Sequence, residues 1–408
     1  MSTLVTKLTF AAMLAGAAAP ALANAGDGIR LGGSEGRLHP FIELEGRYDS
    51  NAFAGATPGA GGGEADTAIH VRPGLTLSVP GDMTSVDLTA KLDWITTTGS
   101  SDVAKKLDNT VYADAALGIS VNKRGVVGLE VDDTFRRSDR PQALTIPFSV
   151  SSNYNVLDLA VPFRPGGGAL TLQLNGAWML ESFEPRDNTY CSTSPDPACD
   201  VSKLGYNQVD AGASVAWKFL PRTSALVEGG WFTRSPNDKA YTVTGAPSGY
   251  RVAAGVTGLV TPHLAATVKA GYGATSGGTA NLGTWLATVE GEWMPSETSN
   301  VKLGYGHDLA VDPSALYADN RISLSARQLV AGRVVLGLTG SMDLLGYSPG
   351  SDTTTILQVS PSVGVEVTRW LKGELAYAYT DRKSSAARAL ALLDYSKSEI
   401  WLKAVATY

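Results

Sequence analysis

The chain has 408 residues, with 33 Lys and Arg against 39 Asp and Glu, a formal net charge of −6, 45 glycines, 4 histidines and 2 cysteines. A mildly acidic balance excludes nucleic acid as the expected partner. So few His and Cys, none of them clustered, leave no basis for a metal site or a cofactor.

Residues 1–25 read as a secretory signal peptide. Lys7 precedes an apolar stretch from Leu8, followed by Pro20 and a small-residue site at Ala21-Leu22-Ala23 or Ala23-Asn24-Ala25. Beyond it no stretch approaches the roughly 18 consecutive apolar residues of a spanning helix. Residues 26–37 then form a short N-terminal segment, expected in the periplasm.

From residue 38 to Tyr408 one theme repeats: segments of about ten residues alternate in period two, as strands do. In the first, Ile42, Leu44 and Tyr48 oppose Glu43, Glu45, Arg47 and Asp49. In TAIHVRPGLTLSV the row Ile69, Val71, Leu75, Leu77 and Val79 opposes His70, Arg72, Thr76 and Ser78. SVDLTAKLDW sets Val86, Leu88, Leu92 and Trp94 against Asp87, Thr89, Lys91 and Asp93. Further on, Ala211, Ala213, Val215, Trp217 and Phe219 oppose Asp210, Ser214 and Lys218. The last segment, EIWLKAVATY, keeps Ile400, Leu402, Ala404 and Ala406 in one row and ends on the aromatic Tyr408.

Connections alternate in length. Short turns fall at Pro80, Asn122, Arg164, Pro221, Thr261, Met294, Val330 and Thr368. Between them lie longer polar stretches at 52–65, 99–108, 137–148, 183–205, 234–247, 275–281, 309–318, 345–352 and 381–396. A soluble sandwich also alternates, but strict short-long alternation has no reason to exist in a Greek key. Segments that outrun ordinary soluble strands suit a tilted crossing of lipid. Aromatics near both ends of the apolar rows form a double girdle: Tyr48, Trp94, Trp178, Trp231 and Tyr305 on one side, Phe163, Phe219, Trp293 and Tyr408 on the other. The expected fold is all-β: a closed up-and-down antiparallel transmembrane β-barrel of about 18 strands over 38–408, in the outer membrane and covered by its lipid, with both termini periplasmic.

An interior of that width lines a channel or contacts a plug. The polar rows place Glu43, Glu45, Arg47, Asp49, Arg72, Asp87, Lys91, Asp93, Asp114, Glu130 and Asp132 on the expected lining. They add Asp158, Lys218, Glu228, Arg251, Lys269, Glu290, Glu292, Lys302, Arg327, Arg333, Glu366, Lys372 and Glu374. A lining of mixed sign suits hydrated, largely neutral solutes better than selected ions; the same charges could simply pair across strands and hold the wall.

Cys191 and Cys199, in TYCSTSPDPACDV, read as a loop disulfide, with two free thiols as the alternative. No catalytic constellation emerges. His307-Asp308 loosely resembles the His-Asp pair of omptin proteases, which are much smaller barrels. The Gly-rich run Gly55 to Asp66 lacks the Lys-Ser/Thr of a phosphate loop. The ALALL stretch within 381–396 is open to two readings, an inward helix or an external loop.

At YDSNAF, residues Tyr48, Asp49, Ser50, Asn51 and Phe53, the chain resembles outer-membrane barrels of the β-barrel porin 2 kind. Length and layout resemble the Wzp-type barrels of Wzx/Wzy-dependent exopolysaccharide export. The resemblance implies a passive outer-membrane conduit for a secreted polysaccharide, fed by a periplasmic polysaccharide export protein. The alternative is a general diffusion porin for small hydrophilic solutes. A turn-favouring strand exit explains Asp49-Ser50-Asn51 equally well.

Overall fold

The computed structural model describes residues 26–31, 35–52, 65–99, 105, 107–139, 144, 150–185, 201–238, 245–278, 280–313, 315–348, 350, 352–385 and 394–408. The expected signal peptide, the Cys191–Cys199 pair, most of the Gly-rich run and the ALALL stretch lie outside the described residues.

Alternation of apolar and polar residues becomes strand throughout. A two-residue strand β1 (Ile29–Arg30) precedes β2 (Arg37–Asp49), β3 (Asp66–Val79), β4 (Thr84–Thr97), β5 (Thr110–Val121), β6 (Leu129–Ser138) and β7 (Val150–Phe163). Next come β8 (Leu170–Pro185), β9 (Tyr206–Leu220), β10 (Thr223–Pro236), β11 (Gly245–Thr261), β12 (Leu264–Gly278) and β13 (Leu282–Ser296). The set ends with β14 (Ser299–Asp312), β15 (Ala315–Val330), β16 (Val334–Ser348), β17 (Thr353–Glu366), β18 (Leu371–Ser384) and β19 (Tyr395–Thr407). Each of β2 to β19 pairs antiparallel with its sequence neighbours, and β19 returns to pair with β2, Ile400 opposite Tyr48 and Leu402 opposite Gly46. The result is a closed antiparallel barrel of 18 strands, with β1 folded back onto the start of β2. Closure satisfies every edge, which is what a barrel in hydrocarbon requires.

Which face looks inward follows from contacts between strands that are not neighbours, since such strands meet only across the interior. The Arg251 guanidinium on β11 donates to the carbonyl of Leu309 on β14. Phe232 on β10 packs with Val311 and Leu316 of β14 and β15, which share the parity of outward Leu303 and Ile322 but sit on a hairpin tip turned in from the wall. The opposite parity is the outer wall, and it leaves large apolar side chains exposed: Leu44, Leu92, Leu174, Val227, Val252, Val268, Leu303, Ile322, Leu375 and Leu402 among them. Tyr48, Trp178, Trp231, Tyr250, Tyr272 and Trp285 stand exposed toward the loop side, and Phe163, Trp217, Phe219 and Trp293 toward the turn side. A wall this apolar belongs in lipid, not water.

All eight anticipated short turns lie at one end, together with both described chain ends. At the other end four expectations fail. Residues 309–318 are not a loop: β14 and β15 run on to a two-residue turn, with Val311 opposite Leu316 and Asp312 opposite Ala315. Likewise strand extends into the other three, over 275–278, 345–348, 234–236 and 245–247. Turn-favouring Asp312-Pro313 marks a hairpin tip there, while the period-two pattern continues up to it.

Candidate functional site

The lumen is built in two zones. Toward the loop side, apolar side chains inside the lumen bury one another. Val150, Phe183, Leu204 and Tyr206 form one cluster, and Phe232, Val311 and Leu316 a second. Ala315, Tyr317, Leu345, Tyr347 and Ile356 form a third, against which Leu144 packs from the far side of the barrel. The β14–β15 hairpin makes this possible. Pairing of β14 with β13 stops at Ala287 opposite His307, whereas β14 and β15 stay paired to their tips. Released from β13, the hairpin leans into the lumen, and Leu309 at 0% exposure lies beside Leu286 of β13 and Gly273 of β12.

Below the hairpin the wall is polar. A cavity of about 710 Å³ is lined by Glu228, Arg251, Lys269, Glu290, Asp308 and Arg321, among others. A second, of about 350 Å³, has Asp132, Asp158 and Asp210 on one side and Arg251 on the other. The space exists because Gly212, Gly230, Gly304 and Gly306 present no side chain on the inward parity.

Most lumen charges are matched. On β2 to β4, Arg72 touches Glu43, Glu45 Oε2 at 2.7 Å and Asp93 Oδ2 at 2.9 Å. His70 Nδ1 stands 2.9 Å from Asp93 Oδ1. Across the closing seam, Lys397 of β19 reaches Asp49 of β2 at 2.6 Å, and Arg47 reaches Glu399 at 3.7 Å. Elsewhere Lys91 and Arg136 flank Asp114 at 3.2 and 3.4 Å, Lys269 meets Glu228 at 2.8 Å, Lys302 meets Glu292 at 3.3 Å, and Lys403 meets Glu374 at 2.8 Å. Ser78 donates to Asp87 at 2.7 Å. Burial makes these pairs more than decorative only where both partners are shielded, as in the Arg72 network.

The register places the residues predicted for the lining on the inward parity, with one exception. Arg333 is in the turn between β15 and β16, its N–H bonded to Val330 O at 3.2 Å, because the strand begins only at Val334. Glu366, Lys372, Arg327 and Lys218 stand toward the turn end of the wall; Glu130, Asp132 and Asp158 face the interior of β6 and β7. Several interior residues escaped the sequence reading: Asp319, Arg321 and Asp343, which form one ion-paired group, and Glu181, Arg234, Arg382 and Glu399. Arg382 fell in a span read as loop; extending the period-two count of β18 by two residues finds it.

His307 and Asp308 do not form a dyad. Adjacent on a strand, they point to opposite faces. His307 stacks on Trp285 with ring centroids 3.9 Å apart, and its two nitrogens lie 2.7 Å from Asn320 Oδ1 and 2.8 Å from Thr284 Oγ1. Asp308 faces Arg251 at 3.6 Å. Among the described residues no group of three or more His, Cys, Asp or Glu side chains is arranged to hold a metal ion.

No protein-family model and no curated protein matches the chain. Among solved structures it is similar to OpdK of Pseudomonas aeruginosa, crystallised with vanillate, at 12% identity and a TM-score of 0.47 over 91% of this chain and 99% of that one. OpdO of the same organism aligns at 11% identity and a TM-score of 0.48, covering 91% and 97%. The outer-membrane channel DcaP of Acinetobacter baumannii gives 12% identity and 0.42, covering 93% and 99%. Likeness at such identity is a likeness of fold.

Proposed function

We propose that this barrel is an outer-membrane channel for small hydrophilic solutes, with both termini on the periplasmic side. The observation that carries the reading is the lumen: a polar, glycine-spaced cavity of about 710 Å³ beneath a constriction where β10 meets β15 across the interior. Weak contacts spread over paired charges and hydroxyls suit conduction, because a solute must be able to leave each position as well as reach it. The apolar outer wall supports the lipid setting.

The polysaccharide conduit implied by the resemblance at YDSNAF is the other reading. It requires a hydrated chain to pass the contact of Phe232 with Val311 and Leu316, and apolar side chains packed into the lumen there favour the small-solute channel. Liposome swelling with neutral sugars of graded size tests the choice. Uptake of mono- and disaccharides with a sharp loss for longer oligomers is expected. Loss of surface polysaccharide in a strain lacking the gene, restored by the intact gene, would overturn this reading in favour of export with a periplasmic partner protein.

A further inference from the structure

Three arginines are buried among the described residues: Arg72, Arg234 and Arg382. A guanidinium never gives up its charge under ordinary conditions, so each needs acceptors. Arg72 has three carboxylates. Arg234 directs Nε and Nη2 together onto Gln208 Oε1, at 2.9 and 2.7 Å, and lies over the Tyr206 ring at 3.9 Å. Arg382, at 4% exposure, is different. Its Nη1 donates to the carbonyl of Leu144 at 2.6 Å, while Nε and Nη2 are shut off from solvent with no acceptor.

Those two nitrogens are one side of the guanidinium fork, the pair of parallel N–H donors that matches the two oxygens of a carboxylate. Elsewhere in this lumen the same side of the fork is filled: by Glu45 for Arg47, by Gln208 for Arg234 and by Asp343 and Asp319 together for Arg321. Around Arg382 the cross-strand neighbours are Ile356 and Tyr395. The carboxylate in its row, Asp343 two strands away, is already held by Arg321. Leaving a buried charge so poorly matched opposes folding unless another state uses it.

We propose that Arg382 is the binding point for a carboxylate group on a solute that passes this barrel, a reading that rests on the channel function above and names its substrate class. The free side of the fork takes both carboxylate oxygens. The Leu144 carbonyl accepts from the other terminal nitrogen, Nη1, and so holds the guanidinium while that side stays free. Arg382 lies beside the Tyr317, Leu345, Tyr347 and Ile356 cluster, near the loop end of β18.

The test is calorimetric titration of the folded barrel in detergent with sodium glucuronate, with glucose and inorganic phosphate as the other probes. Saturable glucuronate binding is expected, with none for glucose. Arg382→Lys keeps the charge but removes the fork, and is expected to weaken binding by about tenfold or more. Absence of glucuronate binding, equal binding by the Arg382→Lys variant, or phosphate binding as tight as glucuronate would each overturn the proposal. Because the titration needs no conduction, glucuronate binding by a barrel that fails the swelling assay would strike the channel reading and leave the site standing.

Discussion

Replacing Arg72 by Met tests whether the lumen wall is held by its ion pairs. Arg72 is 8% exposed at its side chain, Glu45 3%, Glu43 14% and Asp93 18%, so the carboxylates it serves are shielded. Removing one partner of a buried pair costs about 3–5 kcal/mol, because the other is left charged and unmatched. Here the orphaned groups keep some help: Glu45 retains Arg47 at 2.6 Å and Asp93 retains His70 at 2.9 Å. The expected loss is therefore near the lower limit, about 3 kcal/mol. Urea unfolding in lipid vesicles, followed by tryptophan fluorescence and by the gel mobility of the folded barrel, measures it. Adding Glu45→Gln to Arg72→Met should restore part of the loss, since the two residues touch and their effects are coupled. A loss below about 1 kcal/mol, the worth of an exposed pair, would refute the reasoning. So would strict additivity of the two substitutions.

Lys397→Met removes the 2.6 Å contact to Asp49 at the seam between β19 and β2, and a lower unfolding midpoint with easier opening of the barrel is expected in the same assay. Phe232→Ala takes away the wall against which Val311 and Leu316 pack; single-channel conductance in planar bilayers should rise, and an unchanged current would remove the hairpin as the constriction. Gly255→Ala sets a methyl group 2.1 Å from the Val268 carbonyl oxygen on the neighbouring strand. Pairing of β11 with β12 must then shift, and a reduced yield of heat-modifiable, folded barrel is the expected readout.

Fold class was legible in the sequence because a barrel wall imposes one rule on every strand: one face meets lipid and the other the interior. That rule writes itself as period-two alternation, so Ile42, Leu44 and Tyr48 separate from Glu43, Glu45 and Arg47 without any knowledge of pairing. The eight short turns were equally local, since tight reversals need Pro, Gly and Asn at fixed places. Of the charges named for the lining, Arg333 alone stands one residue outside its strand, while Asp319, Arg321, Asp343, Glu181, Arg234, Arg382 and Glu399 were passed over.

What the sequence by itself did not determine is what fills the lumen. Leu309, Val311, Leu316 and Tyr317 have the composition of a strand end, and nothing local says that β14 leaves β13 at His307 and carries them inward. The partners that bury them, Phe232 on β10 and Leu144 between β6 and β7, are distant in sequence and meet them only after the barrel has closed. The same holds for Arg382: its charge is plain in the sequence, but its lack of a carboxylate is a property of the assembled interior. Local pattern sets which way each side chain points, whereas closure decides which side chains it then faces.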